Sequence, residues 1–426
     1  MKTGCQGSWI KDIIGETKEG EDDKMYAELI RELTNTEVFL NSVQQMIESF
    51  SVNTVIMMVM MFFCAVGGID KIRGNKLGYG EKFDEAFATL KPLALAMIGI
   101  ITLVPILQLL LEPIITPVYE FFGASPAMFA GTILPVDSGG YPLAMQLAGE
   151  NLAIGNFSGV VLGSTFGCIF IGMIPISLSI LKEEDYECFA AAVLVAIITI
   201  PLGCIAGGLA MNLTPYKISM AEILVNLIPV IIVAALVAVG LALRPRQVMN
   251  AFCVIGNGIQ ALLILAIVLA AVQSVTGLRL PLFYLMVEPA VEGGTSPLTD
   301  SILIVGTIGL ILSGAFPMVL WVTRTFQKPI QKMANKLGMD EAGGAALVAT
   351  LASYFPALDL MKDMNKKSRL LVLAFSISAT FVLGDHLGFT AGVDQQMVLP
   401  MIVSKMVAGI TALLLANVLA PKLLKK

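Results

Sequence analysis

Charged residues are scarce in this sequence. Asp, Glu, Lys and Arg make up 14% of its 426 residues, whereas 56% are hydrophobic and the mean hydropathy is +0.83. A soluble domain carries about 25% charged residues. The shortage excludes a soluble globular enzyme, a disordered chain and a nucleic-acid-binding protein. Most of the net charge of −5 comes from residues 1–45, which hold nine acidic and five basic residues.

Residues that usually hold metals or form disulfides are also few. The only histidine is His386, and the six cysteines are scattered without a CxxC motif. We therefore expect no metal site, no cofactor and no disulfide framework, and the cysteines are best explained as small buried hydrophobic residues. P-loop, HExxH, GxSxG and kinase motifs are absent as well, which argues against an enzyme or an ATP-driven pump.

Long apolar runs dominate what is present. Runs of about 18 residues or more can cross a hydrocarbon core of about 30 Å as helix. Nine stretches predict spanning helices: about 50–69, 92–118, 157–181, 188–210, 222–243, 250–274, 301–323, 370–390 and 397–420. The expected fold is an all-α polytopic membrane protein with about nine spanning helices plus two re-entrant hairpins.

The two hairpins are predicted at 124–149 and 340–360. Both stretches are apolar but rich in glycine, proline and small residues. Broken backbone at membrane depth survives only where protein or water covers its polar groups. With both hairpins in place, nineteen Lys and Arg residues outside the N-terminal tail fall on one side, and only Lys217 and Arg279 on the other. Cytoplasmic loops are enriched in Lys and Arg, so the C-terminus is predicted to be cytoplasmic.

The two halves of the membrane part echo each other. Gly131-Thr132 and Tyr141-Pro142 in the first half correspond to Ala349-Thr350 and Phe355-Pro356 in the second. We predict repeat one at about 50–212, a connector helix at about 222–243 and repeat two at about 248–420. A single connector inverts the second repeat, and inverted repeats with broken segments are typical of secondary transporters. Chance similarity of Pro- and Gly-rich apolar sequence is the alternative.

Residues 1–45 are predicted to be a polar tail, disordered or partly helical, outside a transporter domain at 46–426. The tail has no apolar region typical of a signal peptide. Met46 begins a segment that resembles a natural membrane-protein start, so an over-extended gene start is an alternative for the tail.

The hairpins contain the first candidate binding residues. Asp137 lies in Pro-Val-Asp-Ser-Gly-Gly-Tyr-Pro, where glycines allow backbone reversal and a carboxylate can hold a substrate cation. The alternative is a turn aspartate that caps the following helix. The neighbouring candidates for substrate binding are Thr132, Ser138 and Tyr141 in the first hairpin and Thr350, Ser353 and Tyr354 in the second. The alternative is that their hydroxyls only form hydrogen bonds with main-chain groups freed at the helix breaks.

A second group of ionisable residues lies late in the sequence. Asp385 and His386 are adjacent in an apolar span, and Lys405 lies five residues into the last apolar run. They are candidates for ion coupling or for a structural ion pair between Asp385 and Lys405. The alternatives are a polar helix end for Asp385 and His386, and extension of Lys405 to the membrane interface.

Several ordered blocks resemble the ethanolamine permease of the ethanolamine-utilisation pathway, the EutH family. They include Pro117–Thr132, Asp137-Ser-Gly-Gly, Ile200–Leu209 and Leu383–Phe389, and the resemblance runs from about Ile56 to Pro421. It implies uptake of ethanolamine across the bacterial inner membrane by a multi-pass protein, with ethanolamine and the lipid bilayer as partners. Ethanolamine is an ammonium alcohol, which needs a carboxylate or aromatic face and a partner for its hydroxyl.

Two other functions remain open. One is a secondary transporter for another small solute, such as a nucleoside or an inorganic cation. The other is a membrane sensor that transports nothing. The sequence also leaves open a coupling ion and a homo-oligomer.

Overall fold

The computed structural model describes residues 28–32, 35–48, 50–289, 291 and 293–424. The chain forms two units, Met1–Val55 and Ile56–Lys426. In the first, residues 28–32 are helical and helix α1 spans Thr36–Glu48 without burying a residue. Positions 1–27 and 33–34 of the predicted tail lie outside the described residues, so the tail as a whole stays a prediction.

The remaining described chain is helical, with no strand in the described ranges. Among the described residues, eight helices are long and apolar enough to cross a membrane: Val52–Ile72, Tyr79–Phe121, Leu152–Ile180, Glu183–Met211, Met220–Leu243, Pro245–Thr276, Pro297–Lys336 and Gln395–Leu423. They coincide with eight of the nine predicted spans. The predicted fold class, an all-helical polytopic membrane protein, is confirmed.

The α-helices used below follow in chain order: α2 Val52–Ile72, α3 Tyr79–Ala88, α4 Leu90–Phe121, α5 Met128–Ile133, α6 Tyr141–Ala148, α7 Leu152–Asn156, α8 Ile174–Ile180, α9 Tyr186–Met211, α10 Met220–Leu243, α11 Pro245–Thr276, α12 Pro297–Lys336, α13 Glu341–Thr350, α14 Phe355–Asp359, α15 Lys366–Ala379, α16 Asp385–Val393 and α17 Val398–Leu423. Two π-helical segments, Phe157–Gly167 and Ile169–Met173, lie between α7 and α8. A π-helix is rare and is often found at functional sites.

Helix starts follow ordinary capping chemistry. Ser219 accepts a hydrogen bond from the Glu222 N–H at 3.2 Å, and the Glu222 carboxylate accepts one from the Ser219 N–H at 2.8 Å. This capping box satisfies two of the free N–H groups at the start of α10. Asn365 caps α15 by accepting from the Ser368 N–H at 2.8 Å.

The predicted span at 370–390 is broken rather than one continuous helix, so it is not among the eight long helices. Helix α15 ends at Ala379, and α16 begins only at Asp385. Between them, the Phe381 N–H donates to the Thr350 carbonyl oxygen at 3.3 Å. Main-chain bonds to the second hairpin therefore replace helical bonds in this segment, and Phe381 adopts a left-handed φ of 61°. The apolar composition of the stretch does not reveal this exchange.

In the first predicted hairpin, α5 and α6 are separated by a turn at 134–140. The turn requires glycine at position 139, where φ is 102° and a Cβ would lie 1.9 Å from Cγ1 of Ile100. A side chain at this position would meet both backbone strain and a steric clash. The glycine therefore lets the turn approach α4 closely.

The arm α5 runs parallel to the segment Phe157–Gly167. Ser158 donates to the Ala127 carbonyl oxygen at 2.6 Å near the start of the arm. At its end, a Cβ on Gly167 would lie 2.1 Å from the Leu134 carbonyl oxygen. Small residues thus let the two backbones pack in direct contact.

The other arm, α6, runs in the opposite direction along the same segment. Gly155 lies against Met145, near the end of α6, whereas Gly159 lies against Tyr141 at its start. The chain therefore reverses direction between α5 and α6 to form a helix–turn–helix hairpin. That the hairpin enters a bilayer from one side stays a prediction.

The second hairpin packs on the segment that follows it in a similar way. At the start of α13, the Asp340 N–H donates to the Ser368 hydroxyl at 3.0 Å. At its end, the Thr350 and Ser376 hydroxyls lie 2.7 Å apart. Helix α13 therefore runs parallel to α15, as α5 runs parallel to the segment after the first hairpin.

The last helices of the two predicted repeats, α9 and α17, pack antiparallel. The Thr199 hydroxyl lies 3.4 Å from the Ala408 carbonyl oxygen, whereas Gly207 lies against Pro400 and Ser404. An inverted repeat predicts antiparallel packing of corresponding helices. The inverted repeat itself stays a prediction.

Candidate functional site

A buried lysine links two helical segments. Lys405 on α17 is fully buried, and its Nζ donates a hydrogen bond to the Ser164 carbonyl oxygen. The His386 ring hydrogen-bonds to the same carbonyl. Ser164 belongs to the π-helical segment, whose wider turns alter the ordinary pattern of main-chain bonds. One main-chain carbonyl therefore joins α16 and α17 to the segment after the first hairpin.

Asp137 lies at the break of the first hairpin and is partly buried. The Ser138 hydroxyl donates to its Oδ1 at 3.2 Å. Lys405 acts on Asp137 electrostatically. The two nevertheless form no ion pair within the described ranges. The carboxylate is thus partly compensated but keeps acceptor capacity for a second cation.

The predicted ion pair between Asp385 and Lys405 is not formed in the described part of the chain. The charged groups that act on Asp385 are Asp137 and Glu85, both acidic. Successive helical residues point about 100° apart around the axis, so Asp385 and His386 at the start of α16 face different directions. Lys405 acts electrostatically on His386, whereas Asp385 senses the negative charges of Asp137 and Glu85.

Three buried polar atoms without partners among the described residues lie on α16 and α17, the helices that carry His386 and Lys405. Nδ1 of His386, Oγ of Ser404 and Oγ1 of Thr390 are buried and make no hydrogen bond to the described protein atoms. Buried polar groups are usually hydrogen-bonded, so each is a candidate contact for a small polar ligand. Ser404 and Thr390 were not predicted, because single hydroxyl residues in apolar runs are common and carry little signal.

Three predicted hydroxyl ligands are buried and bonded within the protein: Thr132 to the Met128 carbonyl oxygen at 2.6 Å, Thr350 to Ser376 at 2.7 Å and Tyr354 to Ser177 at 2.8 Å. These bonds fit the alternative in which the hydroxyls only form hydrogen bonds with main-chain and side-chain groups of the protein. A role for the three side chains in substrate binding stays a prediction.

The two serines among the predicted binding residues line separate cavities. Ser138 lines a cavity of about 400 Å³ between α4, α8 and α11, together with Asn257 and Gln260. Ser353 lines a cavity of about 210 Å³ between α3, α12 and the second hairpin, together with Glu85. Each hairpin turn thus borders its own cavity.

Tyr141 belongs to a different group of residues from Asp137. Its ring lies 6.0 Å from that of Phe389 in an edge-on arrangement. Nearby, Asn156 donates to Asp394 Oδ2 at 3.4 Å, and Tyr216 also hydrogen-bonds to Asp394. Burial and then this carboxylate raise the pKa of Tyr216 to about 12, so its hydroxyl stays protonated. No sequence pattern links these residues, because they come from separate segments.

Asp340 fixes the start of the second hairpin. It lies between α12 and α13, and its carboxylate accepts from the Gly343 N–H at 2.9 Å and the Asn365 N–H at 2.5 Å. Burial opposes ionisation, but these main-chain donors outweigh it and lower the pKa of Asp340 below its ordinary value. The ionised carboxylate therefore caps α13 and ties it to the loop before α15.

Comparisons with known proteins cover almost the whole membrane part. A family model described as "Ethanolamine utilisation protein, EutH" matches residues 52–419. The chain is 43% identical over 376 residues to a Listeria monocytogenes protein named "Probable ethanolamine permease EutH", which covers 88% of this chain and 96% of the relative. An Escherichia coli protein of the same name is 40% identical over 397 residues, covering 87% and 96%. The uncharacterised Bacillus subtilis protein YxeR is 36% identical over 371 residues, with the same coverage as the Escherichia coli protein. No solved structure matches the chain.

Proposed function

The chain belongs to the family of the ethanolamine utilisation protein EutH, and on that premise we propose that it carries ethanolamine into the cell across the bacterial inner membrane. The observation that carries the proposal is its match to relatives named probable ethanolamine permease, over 96% of their length. The family indicates a transporter rather than an enzyme, and eight apolar helices fit a multi-pass membrane protein.

We infer that Asp137 binds the ammonium group. Its carboxylate lies at a backbone break, bonded to Ser138 and without an ion-pair partner among the described residues. The nearby charge of Lys405 offsets part of the cost of holding a carboxylate away from water. The incoming ammonium would supply the charge-assisted hydrogen bonds that Asp137 lacks. His386 Nδ1 and Ser404 Oγ offer partners for the substrate hydroxyl.

The proposed domain organisation places the transport machinery in residues 46–426. Repeats at about 50–212 and 248–420 would be joined by α10 and inverted relative to each other, with the C-terminus in the cytoplasm. Three features support the arrangement: the matching hairpins, the antiparallel contact of α9 with α17, and the charge bias of nineteen basic residues against two. The cavity at Ser353 and Glu85 then opens toward the cytoplasmic side.

Transport is tested in liposomes that contain the purified protein. Labelled ethanolamine should enter in a saturable manner and faster than into protein-free liposomes at about pH 6, where the amine is almost fully protonated. Unlabelled ethanolamine should compete better than a nucleoside or sodium ions. Flux equal to that of protein-free liposomes would favour a sensor, and preferential competition by another solute would favour a different substrate.

A further inference from the structure

A second group of polar and aromatic residues surrounds Asp394. We call it the Asp394 cluster, and it consists of Tyr141, Asn156, Tyr216, Phe389 and Asp394. Tyr141 begins α6, Asn156 ends α7, Tyr216 lies in the loop between α9 and α10, Phe389 is on α16, and Asp394 directly follows α16. The fold therefore brings four separate segments together around one carboxylate.

The carboxylate has no cationic partner in the described part of the chain. Its Oδ1 accepts from the Gln396 N–H at 3.0 Å, and its Oδ2 accepts from Asn156 Nδ2 at 3.4 Å. A carboxylate has about four acceptor positions, so further donors can bind. The uncompensated charge and the remaining acceptor positions favour a cation that carries N–H donors.

Asn156 gives an independent indication of a ligand. The residue is fully buried, and its side-chain oxygen Oδ1 has no hydrogen-bond partner among the described atoms. Leaving such an acceptor unsatisfied costs free energy that a bound donor would recover. Because Asn156 Nδ2 already donates to Asp394, the free oxygen and the carboxylate belong to the same small site.

The aromatic residues complete a site for an ammonium ion. The Tyr141 ring meets the Phe389 ring edge-on and senses the Asp394 charge, and Tyr216 adds a hydroxyl. Ring faces attract cations, and a primary ammonium group has three N–H donors for carboxylate, amide and hydroxyl oxygens. The chemistry suits a small primary alkylammonium ion.

The loop that carries Tyr216 is held in place. Asn212 bonds to Ile218 in both directions, each at 3.0 Å, which closes the loop. Thr214 also accepts from the Tyr216 N–H at 3.1 Å. A site that is fixed before binding loses less entropy when its ligand binds.

We propose that the Asp394 cluster is a second ammonium-binding site, which receives ethanolamine before it reaches Asp137. The inference rests on the proposed function. Helix α16, nine residues or about 14 Å long, separates Asp394 from Asp385 at its other end. The charge bias predicts that the loops containing Glu150 and Lys217 lie outside the cell. It predicts the same outer side for Asp394.

Binding of labelled ethanolamine to the detergent-purified protein tests the second site. The Asp137→Asn variant should lose one saturable component and keep another. Adding Asp394→Asn should remove the remaining component, whereas adding Glu150→Gln, an exposed acid in the loop before α7, should leave it unchanged. Residual binding that survives Asp394→Asn would overturn the inference.

Uptake gives a second measurement. Asp394→Asn keeps the cap on residues 395–397 and should raise the KM for ethanolamine about tenfold, since a hydrogen bond to a charged group contributes about 1.5–3 kcal/mol. Tyr216→Phe should raise the KM by a smaller factor. It provides the test of the second site if Asp394→Asn does not fold. Glu150→Gln is the matched control.

A KM in both cluster variants equal to that of Glu150→Gln would overturn the second site and leave the proposed function standing. A wild-type protein that neither binds nor transports ethanolamine would overturn the proposed function, and the second site with it.

Discussion

The Nζ of Lys405 donates a hydrogen bond to the main-chain carbonyl oxygen of Ser164, 241 positions earlier in the chain. The bond joins α17, in the second predicted repeat, to the π-helical segment that packs on the first hairpin. Because Asp137 lies at the turn of that hairpin and also senses the charge of Lys405, the lysine connects the proposed binding site with helix packing.

Lys405→Met should destabilise the protein and impair uptake. The substitution removes a donor from the Ser164 carbonyl oxygen and a balancing charge from Asp137, a loss of about 1–3 kcal/mol. Thermal unfolding in detergent and uptake into liposomes measure the two effects. Lys182→Met, at an exposed position, is the control and should change neither. An equally mild effect at both positions would contradict the role given to Lys405.

Asp385→Asn and Lys405→Met should act independently on stability. Their side chains form no ion pair in the described part of the chain, so the free-energy changes should add within about 0.5 kcal/mol in a double-mutant cycle. If the double variant lost less stability than the sum of the two single losses, by more than about 0.5 kcal/mol, the two residues would be partners after all.

Gly139→Ala should abolish uptake and lower the melting temperature. A Cβ at this position would lie 1.9 Å from Ile100 Cγ1, in a backbone conformation with φ of 102°. Strain of this kind costs about 1–3 kcal/mol and would displace Asp137. Gly172→Ala, where a Cβ would meet no atom within 4 Å, is the matched control and should behave as the wild type.

The cap at Asp340 should make stability depend on acid pH. Its pKa is lowered in the folded protein, so its contribution is fully present above the unfolded pKa of about 3.9 and is lost as the pH falls through the folded pKa. Asp340→Ala should cost about 1 kcal/mol near neutral pH, and the difference from wild type should shrink below about pH 4. The exposed Asp359→Ala provides the comparison. A difference that stays constant down to about pH 3 would argue against an ionised cap.

Much of the fold could be predicted from apolar runs, because a membrane span needs little more than length and hydrophobicity. The break at 380–384 could not, since its composition is that of a span and its main-chain partners are Thr350 and Leu351 in another segment. Broken backbone is visible in a sequence when glycine and proline cause it. It is hidden when tertiary hydrogen bonds cause it.

The candidate site could likewise be predicted only in part, because some of its contacts are tertiary. The glycine-rich turn identifies Asp137, but the partner of Lys405 is a main-chain carbonyl, which no side-chain pattern encodes. The pairing predicted for Asp385 depended on the rotation of α16, and a one-residue step changes that by about 100°. Asp394 was missed because its neighbours Asn156 and Tyr216 are far away in the sequence.

Ethanolamine uptake by Asp137→Asn in liposomes tests the proposed ammonium site most directly, at about pH 6, where passive entry of the neutral amine is small. The amide keeps the shape of the side chain and its bond to Ser138 but removes the charge. The variant should insert and fold normally yet show no uptake above protein-free liposomes. Uptake at the wild-type rate and apparent affinity would show that Asp137 is only a turn residue and would contradict the proposed binding of the ammonium group.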